Sequence, residues 1–278
     1  MDLELLKNIA VEAACSAGNV IQEYLNEEVP VEHKKGGTSY ASQVVTAVDR
    51  ECEAAILTRL LPTCDQFNLA LVTEEQEDDG SRFLKDYFWC IDPMDGTLAF
   101  INKIPGFSVS IALLARDGTP FLGVVYDPVT DNLYHAIKGN GAYQNGDPLE
   151  IKHFNDHLTY VSDRKLKDTP RAVEIERILN EQVDRLKLSG FAEISGGGSV
   201  FNAIQVLENG PACMLKFPKE ESGGGSIWDY AATACIYQEL GLSASNFAGG
   251  KLDLNKKGGT YMNHQGVFFA NFENNNSK

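Results

Sequence analysis

Five carboxylates and one hydroxyl stand at the ends of apolar runs: Glu74 and Glu75 after Leu71-Val72-Thr73, Asp92, Asp95 and Thr97 within Trp89-Cys90-Ile91-Asp92-Pro93-Met94-Asp95-Gly96-Thr97, and Asp229 in Trp228-Asp229. Carboxylates brought together repel one another and take up protons unless a cation lies between them. An all-oxygen donor set suits a hard ion, Mg²⁺ or Mn²⁺ rather than Zn²⁺. The chemistry this points to is a divalent-metal site that works on phosphate.

The segment Asp92–Thr97 carries the strongest signal. Pro93 fixes the backbone behind the strand and Gly96 allows a tight approach, so both aspartates can turn onto one metal pair. Amides near Gly96 and Thr97 can meet a phosphate. Two similar patterns fail on spacing. Haloacid-dehalogenase phosphatases separate their aspartates by one residue, and here two intervene. A calcium loop opening at Asp92 would need Glu at its last position, which is Lys103.

The other carboxylates each have an ordinary alternative. Glu74-Glu75 is followed by Glu77, Asp78 and Asp79 and could be a solvated acidic face. Asp229 in the first turn of a helix could serve only the helix dipole. Asp49 could be an exposed helix carboxylate, or it could take a proton from Thr97 and so ready a water. Gly196-Gly197-Gly198-Ser199 before a helix is a candidate anion or hydroxyl site. It lacks the Lys-Ser/Thr of a P-loop, and the five histidines show no metal-ligand spacing.

Elements that would position these groups can be read from periodicity. A helix is predicted over about residues 2–26, with Leu5, Ile9, Ala13, Ala17, Val20, Ile21 and Leu25 inward. A second covers about 42–61 and ends before Pro62. Between them, 33–39 is a polar, mobile loop. A short strand at 68–73 delivers Glu74 and Glu75. Strands follow at 87–91, 108–115, 120–127, 132–137 and 141–144. The second half alternates: helix near 171–186, strand near 191–194, helix ending near 209, strand 212–217, helix 227–240, and late strands including 266–271. The tail 273–278 is expected to fray.

With 278 residues, 43% of them apolar, the chain can bury a substantial core. It is expected to be a single domain with an N-terminal α+β lobe at about 1–150 and a C-terminal α/β lobe at about 151–278. No apolar run reaches membrane-spanning length, and the start lacks a signal peptide's features. Six scattered cysteines without a C-x-x-C pair read as buried free thiols, which suits the cytoplasm. A net charge of −15 excludes nucleic-acid binding. It also means that an anionic substrate needs bound metal to neutralise the acidic site.

Taken in order, Thr46-x-x-Asp49, Glu74-Glu75, Asp92-Pro93-x-Asp95-Gly96-Thr97, Gly198-Ser199 and Trp228-Asp229-x-Ala231-Ala232 resemble the inositol monophosphatase superfamily of magnesium-dependent, lithium-sensitive phosphatases. The resemblance implies a layered α-β-α-β-α sandwich of mixed α/β (α+β) class, acting as a homodimer. It further implies that Glu74, Asp92 and the Met94 carbonyl hold a first Mg²⁺. Asp92, Asp95 and Asp229 would hold a second, and Glu75 would orient a third. Thr97 and Asp49 would activate the attacking water, and the Gly96 and Thr97 amides would bind phosphate.

Departures bear on the substrate. Gln43 replaces a common acidic residue and Thr233 a common glycine. Residues 216–227 form a longer connection than inositol phosphatases have, where a Glu binds sugar hydroxyls. Glu220 or Glu221 would be its equivalent. The basic residues of this loop are similar to those of 3′(2′),5′-bisphosphate nucleotidases, where Lys216 or Lys219 would meet a second phosphate. The reading favours a small phosphate ester such as inositol monophosphate or a similar polyol phosphate. Adenosine 3′,5′-bisphosphate is the alternative substrate, and a non-catalytic binding module of the same fold is the alternative class.

Overall fold

The computed structural model describes residues 1–27, 29–33, 44–151 and 155–272. In chain order these form α1 (Leu3–Tyr24), β1 (Val31–His33), β2 (Val44–Thr46), α2 (Ala47–Phe67), β3 (Ala70–Thr73), β4 (Tyr87–Asp95), α3 (Thr97–Ile101), β5 (Ser108–Ala115), β6 (Pro120–Asp127), β7 (Asn132–Ile137), β8 (Gly141–Gln144) and β9 (Asp147–Pro148). The second half holds β10 (Leu158–Ser162), α4 (Ala172–Leu186), β11 (Phe191–Ser195), α5 (Ser199–Glu208), β12 (Ala212–Lys216), α6 (Trp228–Glu239), β13 (Ser243–Ser245) and β14 (Val267–Ala270). The expected loop at 33–39 lies largely outside the described residues, as do Gln43 and the tail.

Strands β3 to β9 form a seven-stranded sheet in chain order, antiparallel throughout except for the parallel β3–β4 pair. A second sheet runs β11-β10-β12-β14-β13. Strand alternation sends Trp89, Ile91, Val109, Ile111 and Leu113 to one face, where they pack with Leu6, Ala10, Ala17, Ile56 and Leu60 of α1 and α2. The opposite face packs with α5 and α6, which are sandwiched against the second sheet. Helix α4 covers the outer face of that sheet through Ile175, Leu179 and Val183. The result is the layered α-β-α-β-α sandwich.

Three details of the helices differ from the sequence-based expectation, the first being the start of α2: it begins at Ala47, and Val44–Thr46, expected to be helical, form β2. In α1 the inward stripe begins at Leu6, not Leu5, which is 39% exposed. Leu6, Ala10, Ala13, Ala17 and Ile21 keep the three- and four-residue spacing that one face requires. Helix α2 does not stop at Pro62 but continues to Phe67. Thr63, behind the proline, is buried, donates to the Leu60 carbonyl at 2.6 Å and accepts from Trp89 Nε1 at 2.9 Å. Tertiary packing of this last turn outweighs the hydrogen bond that proline forfeits. No helix among the described residues is long and apolar enough to cross a membrane.

Candidate metal centre and cleft

Asp92 and Asp95 are three residues apart, so regular pleating would send them to opposite faces of the sheet. A bulge in β4 prevents this: Asp92 pairs with Ser110 and Asp95 with Ser108, so three residues of β4 span two of β5. Since Ser108 and Ser110 share a face, so do the two aspartates. Pro93 sits inside the bulge, where a missing amide does little harm to the ladder. Gly96 follows at φ +89, and a Cβ there would lie 2.3 Å from the Gly106 carbonyl oxygen. Only glycine lets β4 turn into α3 at this point.

Each carboxylate arrives from a different element. The parallel register places Thr73 beside Ile91, which puts Glu74 next to Asp92. Asp229 stands in the first turn of α6 and accepts from the Ser226 amide at 2.5 Å. Asp95 accepts from the amides of Ser199, Val200 and Phe201 at 3.0, 2.9 and 3.3 Å. The anion that the N-terminus of α5 binds is therefore this aspartate, held by the unpaired amides of a first helical turn.

Oxygen atoms of Asp92, Asp95 and Asp229 lie within 4.8 Å of one another. Burial, followed by the charges of Glu74, Asp95 and Asp229, pushes the Asp92 carboxyl well above the usual carboxylate range. Burial and Asp229 push Asp95 up to about 8; burial and Glu74 push Asp229 up to about 6. Asp92 Oδ1 accepts from the Met94 amide at 3.1 Å, whereas its buried Oδ2 has no hydrogen-bond partner among the described residues. An orphaned carboxylate oxygen in an all-oxygen cluster is the donor arrangement of a hard divalent cation. The residues present fit Mg²⁺.

Thr97 Oγ1 lies 2.9 Å from Asp49 Oδ1 and 3.3 Å from the Met94 carbonyl oxygen. A hydroxyl has one proton to donate, and the closer, charged acceptor is Asp49. Asp49 is only 2% exposed, which rules out the solvated helix carboxylate.

The cluster forms one wall of a cleft of about 340 Å³ that is also lined by Glu74, Met94, Gly96, Thr97, Gly198, Ser199, Lys216 and Lys219. Glu75 and Glu220 are not among its lining residues, and Glu220 is exposed. Basic residues line the cleft as well, Lys216, Lys219 and Arg164 among them. Lys216 Nζ donates to Ser199 Oγ at 2.9 Å and lies 3.6 Å from Asp163 Oδ2. Burial works against its charge, but Tyr230, Asp163 and Asp229 outweigh that and hold its pKa above the ordinary lysine value.

Sequence reasoning missed Asp163, Arg164, Thr260 and Tyr261 on the cleft wall. The first two follow β10, a five-residue strand that was not predicted. Its signal is faint but present: Leu158-Thr159-Tyr160-Val161-Ser162 is rich in strand formers. Strands β10, β11 and β12 run parallel, and Asp163, Gly196 and Lys216 all stand at their carboxyl ends. Ligand crevices of α/β sheets open at such ends.

A sequence profile described as the inositol monophosphatase family matches residues 2–276. The chain is 30% identical over 252 residues to Nus factor SuhB of Escherichia coli K12, covering 87% of this chain and 85% of that one. It is 28% identical over 247 residues to inositol monophosphatase 1 of Bos taurus, with 88% and 84% covered. CysQ from Bacteroides thetaiotaomicron superposes with a TM-score of 0.72 at 26% identity, over 96% of this chain and 97% of that one. With the fold, the ordered motifs and the profile in agreement, the chain belongs to the inositol monophosphatase family of phosphatases.

Proposed function

We propose that this protein is a Mg²⁺-dependent phosphomonoesterase that hydrolyses a small phosphate ester with a metal-activated water. The observation that carries the reading is the buried trio Asp92, Asp95 and Asp229, with its orphaned Asp92 oxygen, in one cleft with the Thr97–Asp49 pair. Enzymes of this family generally use Mg²⁺. Here Glu74, Asp92 and the Met94 carbonyl would hold one ion and Asp92, Asp95 and Asp229 a second, with Glu75 orienting a third; Mn²⁺ would be tolerated. Held by these residues, the metal would supply Lewis-acid chemistry, acidifying a water and offsetting charge on the phosphoryl group.

The protein's own groups do the rest. Thr97 and Asp49 take the water's proton and fix its direction of attack. Amides of Gly96 and Thr97 orient the phosphoryl oxygens, and Gly198 and Ser199 border the leaving group. Phosphoryl transfer depends mainly on position and charge, so no covalent nucleophile is required. The reading treats the chain as a single phosphatase domain and a cytoplasmic, lithium-sensitive homodimer, on the strength of the family resemblance.

For the substrate, an inositol monophosphate or similar polyol phosphate remains the first reading. A second has a specific observation behind it: Lys216, Lys219 and Arg164 line the cleft, while Glu220, the candidate reader of sugar hydroxyls, does not. That wall suits a second phosphate, as in adenosine 3′,5′-bisphosphate. The test is phosphate release with Mg²⁺ from inositol 1-phosphate, adenosine 3′,5′-bisphosphate and fructose 1,6-bisphosphate, for the native chain and Lys216→Gln. If the nucleotide is preferred, Lys216→Gln should raise its KM at least tenfold, the loss of a charge-assisted contact of about 1.5 kcal/mol or more. Preference for the inositol ester supports the first reading. Hydrolysis of none of them would refute the phosphatase assignment, in favour of a binding role such as the name of the SuhB relative carries.

A further inference from the structure

Arg82 has no part in the chemistry described so far, yet it is the largest charged side chain in the interior, with 0% exposure. It lies in the 3-10 turn Ser81–Phe83, eight residues beyond Glu74 and before β4. Its Nε donates to Asp78 Oδ2 at 2.8 Å. Its Nη1 donates to Asn255 Oδ1, and Nη2 to the carbonyls of Lys256 and Gly259 at 3.3 and 3.4 Å. Asn255 returns a bond from Nδ2 to the Arg82 carbonyl at 3.3 Å. A planar fork of five donors can tie two separate chain segments in this way, and a lysine cannot.

The two segments are those that support metal ligands from different parts of the sequence. On one side, Asp78 lies four residues beyond Glu74, and its Oδ1 accepts from the Gly80 amide at 3.0 Å. On the other, residues 255–259 lead directly into Thr260 and Tyr261 of the cleft wall. Tyr261 forms an isolated bridge with Ser226, flanked by Ile227 N to Thr260 O and Met262 N to Gly225 O, both at 2.9 Å. Ser226 in turn gives its amide to Asp229. Hydrogen bonds joined by short stretches of backbone thus connect the segment that follows Glu74, through one buried guanidinium, to the amide that holds Asp229.

We propose that Arg82 is a positioning residue for the metal centre, a strut that sets the placement of Asp229 relative to Glu74. The inference rests on the reading of these carboxylates as metal ligands. Supporting groups behind metal ligands typically govern affinity by 10- to 100-fold, so removing the strut should loosen metal binding even where the ligands themselves are intact.

The experiment compares the full chain with Arg82→Gln, Arg82→Lys, Asn255→Ala and Leu179→Ala. Leu179, on α4, is buried against the outer face of the second sheet, away from the cleft, and reports general destabilisation. Mn²⁺ binding is measured by calorimetry, with melting temperature alongside; phosphate release and its half-saturating Mg²⁺ follow. Arg82→Gln should weaken Mn²⁺ about tenfold or more, Asn255→Ala should weaken it less, and Arg82→Lys should restore little because it cannot fork. Leu179→Ala should melt earlier with native Mn²⁺ affinity. If Arg82→Gln does not fold, Asn255→Ala, which removes one end of the strut, carries the comparison. Native Mn²⁺ affinity in the folded Arg82 and Asn255 variants overturns the proposal, as does equal weakening in Leu179→Ala. A native chain that binds no Mn²⁺ overturns both this and the metal-site reading. A chain that binds Mn²⁺ but hydrolyses no ester overturns the function alone.

Discussion

Gly198 offers the cleanest perturbation of the centre. Its backbone, at φ −64 and ψ 172, is one that alanine adopts freely, so Gly198→Ala adds a methyl group and no backbone strain. That methyl carbon would lie 2.2, 2.5 and 2.6 Å from Oδ2, Cγ and Oδ1 of Asp95. Ordinary contact begins near 3.4 Å, so the carboxylate must retreat by about 1 Å. A misplacement of about 1 Å costs on the order of 10²-fold in rate where catalysis depends on position. The stability cost is smaller. Alanine in place of glycine at a helix N-cap loses about 1 kcal/mol, and some loosening of the three amide contacts to Asp95 adds to it. At about 2–4 °C per kcal/mol, the melting temperature should fall by only several degrees. The assay is a Mg²⁺ titration of phosphate release beside a melting curve. The expected result is kcat down about 100-fold and half-saturating Mg²⁺ raised, in a chain still folded at 25 °C. Native kcat and native Mg²⁺ dependence in a folded Gly198→Ala would refute the argument that Asp95, clamped on α5, must sit where it does for turnover.

Two further outcomes follow from the same coordinates. In the metal-free chain Asp229 and Asp95 keep their protons up to about 6 and about 8, whereas unfolded aspartates lose theirs near 3.9. The folded state then holds more protons between about pH 4 and 8, so its stability falls as pH rises. Melting temperatures in EDTA should drop from pH 5 to 8, and Mg²⁺ should stabilise more at pH 8 than at pH 5; a rise in EDTA would contradict the burial of these groups. Pro62 lies exposed inside α2, where proline costs a helix about 3 kcal/mol. Less about 1 kcal/mol for the greater freedom of the unfolded chain, Pro62→Ala should stabilise by about 2 kcal/mol and raise the melting temperature by about 4 °C, read by denaturation.

What the sequence reveals of this fold depends on how local each cause is. The strands of the large sheet are legible because their alternation and turns, such as Asp117-Gly118 and Asn145-Gly146, are written within a few residues. The convergence of Asp92 and Asp95 is legible only in part: Gly96 marks the tight exit, but the strand expected to end at Ile91 runs on to Asp95 through a bulge set by its pairing with Ser110 and Ser108. The end of α2 is not, because what carries it past Pro62 is the burial of Thr63 under Trp89, a contact across 26 residues. Nor is the fate of the α5 N-terminus. Gly196-Gly197-Gly198-Ser199 reads as an open anion site, and the anion proves to be a side chain 104 residues earlier. Arg82 gives no local sign, since its partners Asn255, Lys256 and Gly259 lie more than 170 residues away.

The same distinction explains how so acidic a chain can receive an anion. Net charge acts at long range, where salt screens it over about 10 Å; recognition is settled inside the cleft. There the carboxylates Glu74, Asp92, Asp95 and Asp229 come from the ends of β3 and β4 and from α6, while Arg164 and Lys216 come from the carboxyl ends of β10 and β12, with Asp163 beside them. Lys216 is the hinge of this arrangement. Its ammonium is shared among Ser199, Asp163 and the ring of Tyr230, so a substrate anion that engages it must compete with Asp163. An inositol ester would leave the Lys216–Asp163 pair in place, whereas a second phosphate, the alternative substrate feature, would have to take Lys216 from Asp163. Lys216→Gln should therefore narrow the difference between the two substrate classes, read as KM for each, with half-saturating Mg²⁺ measured alongside because the Lys216 charge also acts on Asp95 and Asp229.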